Sequence, residues 1–124
     1  MYQIFIVDDD QRVVNALKEL LEAVGEISVV GNADNEDASV EWLVQNRTSW
    51  NLTIVDLALR VGSGLRVLSA CRVRLANQKV VVLSGHLDSA MKRRCETLGA
   101  DAVFAKDTHV EALIDYCASA SRTQ

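Results

Sequence analysis

Polar side chains able to carry chemistry stand directly after four β-branched stretches. Asp8, Asp9 and Asp10 follow Ile4 to Val7, Asp56 follows Leu52 to Val55, Ser84 and Gly85 follow Val80 to Leu83, and Lys106 and Asp107 follow Ala102 to Ala105. If the first and third stretches are neighbouring strands, Asp8, Asp9 and Asp56 share one crevice. Carboxylates held that close repel unless positive charge lies among them. A divalent cation is the simplest remedy, and oxygen-only ligands completed by water suit Mg2+ better than Zn2+, which prefers Cys and His. Three carboxylates and the Lys106 ammonium sum to −2, which Mg2+ brings to zero, so that a phosphoryl oxyanion can enter. Each residue taken alone has a plainer role. An acidic run after a strand commonly complements the N-terminus of the next helix, and Asp10 is assigned that role. Asp56 alone would cap a turn, Ser84 alone is a loop hydroxyl, and Lys106 alone is a solvated charge. Five polar groups of complementary type at the matching ends of four strands argue for one shared site.

The elements that position these groups follow from hydrophobic period. The chain has 124 residues, one domain in size, with 49% apolar and 24% charged residues, close to globular averages. Strands are expected at Gln3–Val7, Ile27–Gly31, Leu52–Val55, Lys79–Leu83 and Ala102–Ala105. The first, third and fourth are nearly continuous apolar runs, which suit strands covered on both faces of a parallel sheet. Helical spacing links Val13, Val14, Leu17, Leu20, Leu21 and Val24, with Gly25 as the residue that ends the helix. A second helix is expected over Asn35–Asn46, a third from Leu65 to Leu75, a fourth from Ala90 to Leu98 closed by Gly99, and a fifth over His109–Ser119. Thr108 and Glu111 have the spacing of a capping box for the fifth. Five βα units in this order define an α/β protein with an open parallel sheet, and ligands of such sheets bind beyond the carboxyl ends of the strands.

Charge and composition exclude several functions. Thirteen Lys plus Arg against seventeen Asp plus Glu leave −4, which argues against direct nucleic-acid binding or attraction to anionic lipid. No apolar run is long enough to span a bilayer, and Met1 to Ile4 lack a basic leader, so a soluble cytoplasmic protein is expected. Cys71, Cys95 and Cys117 are widely spaced with no metal-binding pairing, and read as buried thiols. The polar segment 119–124 is read as a tail or the start of a linker after a domain over 1–118. Trp42 and Trp50 read as packing residues, and Lys92, Arg93 and Arg94 as a basic, solvated helix face.

The chain resembles the receiver domains of bacterial two-component response regulators, particularly those of LuxR/NarL-type regulators. The resemblance rests on Ile4 to Asp10, on Thr53 to Leu57 with Gly64 eight residues after Asp56, on Val80 to Gly85, and on Leu98 to Asp101 leading to Phe104 to Lys106. It implies a flavodoxin-like (βα)5 doubly wound sheet with strand order 2-1-3-4-5. Carried over by position, it implies Asp56 as phosphoacceptor, Asp9 as a direct Mg2+ ligand, Asp8 acting mostly through water, and the backbone carbonyl of Ala58 as a further ligand. Ser84 matches the hydroxyl that binds the phosphoryl group and Lys106 the lysine that pairs with it, while His86 has no catalytic task. The implied donor is the phosphohistidine of a sensor histidine kinase or phosphotransfer protein, and a homodimer through the fourth helix, fifth strand and fifth helix is among the implied outputs. No substrate turnover is expected beyond phosphorylation of Asp56 and loss of that group.

Departures from the family pattern are informative. Arg60 replaces a proline common four residues after the phosphoacceptor, and Asp107 replaces the proline after the lysine, as in receivers that precede LuxR-type DNA-binding domains. Val103 holds the position of the switch aromatic, with Phe104 on the opposite face of the strand. These departures motivate an alternative, a pseudo-receiver acting as a phosphorylation-independent interaction module; the intact set Asp8, Asp9, Asp56, Ser84 and Lys106 opposes it. A flavin site is excluded because the three aspartates would repel the flavin phosphate. A dinucleotide site fails because Gly62 and Gly64 lack a third glycine at Val67. A phosphohydrolase using Asp8 as nucleophile would need Thr or Val where Arg12 stands.

Overall fold

A computed structural model of the protein describes residues 1–85 and 87–123. Strands β1 (Tyr2–Val7), β2 (Ile27–Ala33), β3 (Leu52–Val55), β4 (Lys79–Ser84) and β5 (Ala102–Ala105) alternate with helices α1 (Gln11–Ala23), α2 (Glu36–Gln45), α3 (Gly64–Ala70), α4 (Ser89–Thr97) and α5 (Val110–Arg122). All pairings are parallel and the strand order is β2-β1-β3-β4-β5, the flavodoxin-like doubly wound arrangement. The three nearly continuous apolar runs are the interior strands β1, β3 and β4, where both faces need cover.

Strand alternation sorts the core into two layers. Ile4, Ile6, Leu52, Ile54, Val81 and Leu83 meet Val14, Leu17 and Leu21 of α1 and Leu113 and Cys117 of α5. Phe5, Val7, Val55, Val80 and Val82 meet Leu43 of α2, Val67 and Leu68 of α3, and Cys95 of α4. All three cysteines are buried and free, and burial pushes the thiols of Cys71 and Cys117 up to about 12, so both stay protonated and inert at neutral pH. Both tryptophans pack as expected. Trp42 stacks on Phe5 with ring centroids 3.9 Å apart, over Gly31, where a Cβ would lie 2.8 Å from the indole nitrogen. The β1–β2 register slips at this point, Ile4 facing Val29 and Phe5 facing Gly31. Trp50 is buried.

Gly25 follows the cap of α1, Val24, at φ 89°, as expected, although Val24 and Leu20 are exposed. Other helix ends differ from the sequence expectation in three places. The third helix stops at Ala70, well before Leu75. Beyond it, side chains replace helical hydrogen bonds: Arg74 donates to the carbonyls of Cys71, Gln78 and Gly99 at 2.7, 3.0 and 2.8 Å, and Gln78 donates to those of Arg47 and Trp50. Leu75, left on that loop, is exposed. The capping box on α5 does not form. The turn after β5 closes with the His109 N–H donating to the Ala105 carbonyl at 2.9 Å, which makes His109 the cap, without a side-chain hydrogen bond from it to the helix. Thr108 instead turns its hydroxyl to Asp107. Finally, α5 runs through Arg122, so residues 119–122 of the expected tail are helical.

Candidate functional site

Parallel strands all present their carboxyl ends at one edge, and the chain leaves β1 toward β2 on one side and meets β3 on the other. That reversal opens a crevice between β1 and β3. Asp8 and Asp56 are the first residues past these two strands and sit in it. Their backbones extend the sheet by one bond each, the Asp8 N–H donating to Ala33 and the Asp56 N–H to Val7. Both residues are only 3% exposed, a depth at which a carboxylate needs partners.

Lys106, just past β5, supplies the partner for both. Its Nζ lies 2.9 Å from Asp8 Oδ2 and 3.0 Å from Asp56 Oδ2. The second oxygens are also satisfied: Asp8 Oδ1 accepts from the Asp10 N–H at 2.8 Å and Asp56 Oδ1 from the Ala58 N–H at 3.1 Å. Asp9 completes the group, and one oxygen from each of Asp8, Asp9 and Asp56 lies within 4.8 Å of the others. Ser84, buried at the end of β4, is tied to the same edge because its carbonyl accepts the Lys106 N–H at 2.8 Å. The structure therefore brings Asp8, Asp9, Asp56 and Lys106 together, with Ala58 beside Asp56 and Ser84 beside the Lys106 backbone. Asp10 is separate: it caps α1, accepting from the Arg12 N–H at 3.0 Å and pairing with the Arg12 guanidinium, which lowers its pKa. His86 lies outside the described residues.

Burial outweighs the Lys106 and Ala58 hydrogen bonds at Asp56 and holds its carboxyl above the usual range, with the Asp8 charge adding to the rise. At Lys106 the balance runs the other way. Burial alone would lower its pKa, but the hydrogen bonds to Asp8 and Asp56 overcome it and hold the ammonium above the ordinary lysine value. The donor set is all oxygen, crowded and acidic, and fits a hard divalent cation such as Mg2+.

One residue of this site escaped the sequence reading. Arg60 donates its backbone N–H to Asp9 Oδ2 at 2.7 Å, and its guanidinium reaches the same oxygen at 3.5 Å and the Asp9 carbonyl at 3.4 Å. Only the path of the loop after β3 reveals this, since Arg60 and Asp9 are 51 residues apart. The chain signalled it solely as the missing proline. Gly64 was legible as part of a motif, but its reason is structural: its N–H donates to the Leu57 carbonyl, and a Cβ would meet the carbonyl oxygen of Asp56 and lie 2.5 Å from the Leu57 Cα.

An open, doubly wound parallel sheet gathering three carboxylates and a lysine at its switch point defines a flavodoxin-like α/β protein with an acidic strand-end site. The chain belongs to the response regulator receiver domain family, which it matches over residues 4–118. It is 28% identical over 116 residues to the nitrate/nitrite response regulator protein NarL of Escherichia coli K12, covering 90% of this chain and 50% of NarL. The chain spans about half the length of the curated relatives it matches. Among solved structures, a LuxR-family DNA-binding response regulator from Staphylococcus aureus superimposes with a TM-score of 0.83 at 19% identity, covering 98% of this chain and 99% of that one. A response regulator protein from Burkholderia pseudomallei, solved with a phosphorylated aspartic acid, a calcium ion and citrate, gives 0.78 at 24% identity, covering 100% of this chain and 71% of that one. Among the described residues no helix is long and apolar enough to cross a membrane.

Proposed function

We propose that this receiver domain accepts a phosphoryl group on Asp56 from the phosphohistidine of a sensor kinase or phosphotransfer protein, with Mg2+ held by Asp8, Asp9, Asp56 and the Ala58 carbonyl. The observation that carries this reading is the single ammonium of Lys106 shared between two buried carboxylates at the β1–β3 switch point. It favours the phosphoacceptor over an interaction module indifferent to phosphorylation, which would have no use for such costly buried charge. Phosphoryl transfer asks mainly for positioning and charge stabilisation. The phosphorus–nitrogen bond of the donor breaks as a bond forms between phosphorus and an Asp56 carboxylate oxygen, and no base is needed because an ionised carboxylate has no proton to lose. Mg2+ supplies charge neutralisation of the phosphoryl oxygens. Lys106 then shifts from two carboxylates toward the new charge, and Ser84 offers its hydroxyl.

Intact mass after treatment with acetyl phosphate and Mg2+ tests the reading: one added phosphoryl group is expected, mapped to the peptide containing Asp56. An unmodified mass, or a group elsewhere, overturns it. For the metal, Asp9→Asn is expected to weaken Mg2+ binding far more than Asp10→Asn. An asparagine at position 10 still caps α1, whereas one at position 9 removes a ligand charge. Amide shifts in a Mg2+ titration report this, and equal losses from the two variants would move the metal site.

Switching follows from the same geometry. Val103 packs into the layer beneath α2, α3 and α4, whereas Phe104 faces the other layer and meets Tyr116 edge-on at 5.8 Å. An aromatic swing beside Ser84 is therefore not built into β5, and the pull of the phosphoryl group on Ser84 and Lys106 carries the change. Ser84→Ala is expected to suppress beryllofluoride-induced shifts in α4 and any self-association, with Val103→Ala responding much as wild type. A Ser84→Ala response equal to wild type would show that the hydroxyl is not the trigger.

A further inference from the structure

Among the described residues the strand-end site holds two resident cations, and only Lys106 belongs to the proposed phosphoryl chemistry. Lys106 serves Asp8 and Asp56. Asp9, the remaining carboxylate, is occupied by Arg60 through a backbone donor at 2.7 Å and a guanidinium that spans its carboxylate and its carbonyl. With both cations counted, three carboxylates, one ammonium and one guanidinium sum to −1, so a divalent ion entering beside Arg60 would leave the cluster at +1.

The loop gives the Arg60 backbone little freedom to withdraw. At one end the Ala58 N–H is bonded to Asp56 Oδ1 at 3.1 Å, and the Gly64 N–H closes on the Leu57 carbonyl at 3.2 Å. At the other, Glu36 at the start of α2 clasps the loop: its N–H donates to Val61, its Oε1 accepts from the Ser63 N–H at 2.9 Å, and Gly62, at φ 87°, packs against its side chain. The side chain is different. The Arg60 side chain is 82% exposed against 17% for Asp9, so the guanidinium is the part that can leave.

We infer that Arg60 is a positioning residue that holds Asp9 before metal loading, and that a divalent cation must displace its guanidinium from Asp9 to bind. The inference rests on the reading of Asp8, Asp9 and Asp56 as the Mg2+ site. A planar guanidinium and a hard cation compete for the same carboxylate, and the backbone N–H keeps its Oδ2 aimed at the loop whichever wins. An exposed pair of this kind shifts a competing equilibrium by up to about fivefold, and direct repulsion between the guanidinium and the ion acts in the same direction. Metal affinity is thereby weakened and made sensitive to ionic strength.

The test is a Mg2+ titration followed by backbone amide shifts near Asp9 and Asp56 in wild type, Arg60→Met, Arg60→Gln and Arg12→Met, the last removing an exposed arginine that pairs with Asp10 and not Asp9. Both Arg60 variants are expected to bind Mg2+ about threefold to fivefold more tightly than wild type, with the gain shrinking in high salt and Arg12→Met close to wild type. In wild type the Arg60 Nε–H resonance is expected to move toward that of a free arginine as Mg2+ is added. Unchanged or weaker binding in the Arg60 variants, an equal gain from Arg12→Met, or a stationary Nε–H signal overturns the inference while leaving the metal site in place. Absence of Mg2+-dependent shifts at Asp9 and Asp56 in every protein would overturn the metal-site reading itself, and the inference with it.

Discussion

Asp56→Asn is expected to take up no phosphoryl group and yet to be more stable than wild type at neutral pH. Burial holds the folded-state pKa of Asp56 above its unfolded value. The folded chain therefore binds that proton more tightly than the unfolded chain does, and the sign follows. Stability tied to Asp56 is fully present below the ordinary carboxylate pKa and is lost as pH rises through the raised folded value. At neutral pH the ionised side chain is a net cost, one that the proposed role of Asp56 as an anionic, water-shielded phosphoacceptor would require. The substitution removes that charge, and Lys106 would keep Asp8 at 2.9 Å as its partner. Denaturant unfolding of both proteins from about pH 3.5 to 7.5 checks this, the window being set by the ordinary aspartate value and the upward direction of the shift. The two curves should converge at the acid end and separate in favour of the variant as pH rises. A wild type more stable than Asp56→Asn at neutral pH would show that the Lys106 pairing outweighs burial. Intact mass after acetyl phosphate treatment checks the first half, and full labelling of the variant would remove Asp56 as the acceptor.

Gly64→Ala carries the largest expected loss of stability. The glycine backbone lies against the peptide that joins Asp56 to Leu57, and an added Cβ would sit 2.5 Å from the Leu57 Cα and nearer still to the Asp56 carbonyl oxygen. Both neighbours are backbone, so nothing flexible can give way. Either α3 lifts from the sheet or the loop after β3 shifts, and overpacking of this kind costs about 2–3 kcal/mol. For a domain of this size that corresponds to a fall in Tm of roughly 10 °C. Because the same loop carries Ala58, whose carbonyl is proposed to hold the metal, Mg2+ binding should weaken even in the fraction that stays folded. Thermal unfolding and a Mg2+ titration of the variant measure both effects. A Tm within a degree or two of wild type would mean that the close approach is relaxed in solution. Gly85→Ala is the matched control, since a Cβ there meets nothing within 4 Å.

Much of this protein was legible along the chain because its governing forces are local or periodic. Nearly continuous apolar runs marked β1, β3 and β4 as strands covered on both faces, where few polar positions remain, and the strand order places all three inside the sheet. Helical spacing marked all five helices in order, and the residues that follow those strands marked the site, because a parallel sheet puts every strand's carboxyl end at one edge. Asp8, Asp9, Asp56 and Lys106 could thus be grouped without any distance being known.

What tertiary structure alone decided lies where contacts join residues distant in sequence. The end of α3 depends on Arg74 and Gln78 taking carbonyls that a longer helix would have used, and Gln78 finds its own at Arg47 and Trp50. The start of α5 depends on a turn closing at His109, which overrides the capping-box spacing of Thr108 and Glu111. The place of Arg60 depends on a loop clasped by Glu36 from another helix, and the need for Gly64 on how closely α3 approaches the Asp56 peptide. Periodicity reports which face of an element is buried. It carries no information on which distant backbone group a long side chain reaches, because that is set by the packing of whole elements, and so the charge count of the site changed from −2 to −1 only once the loop after β3 was in place.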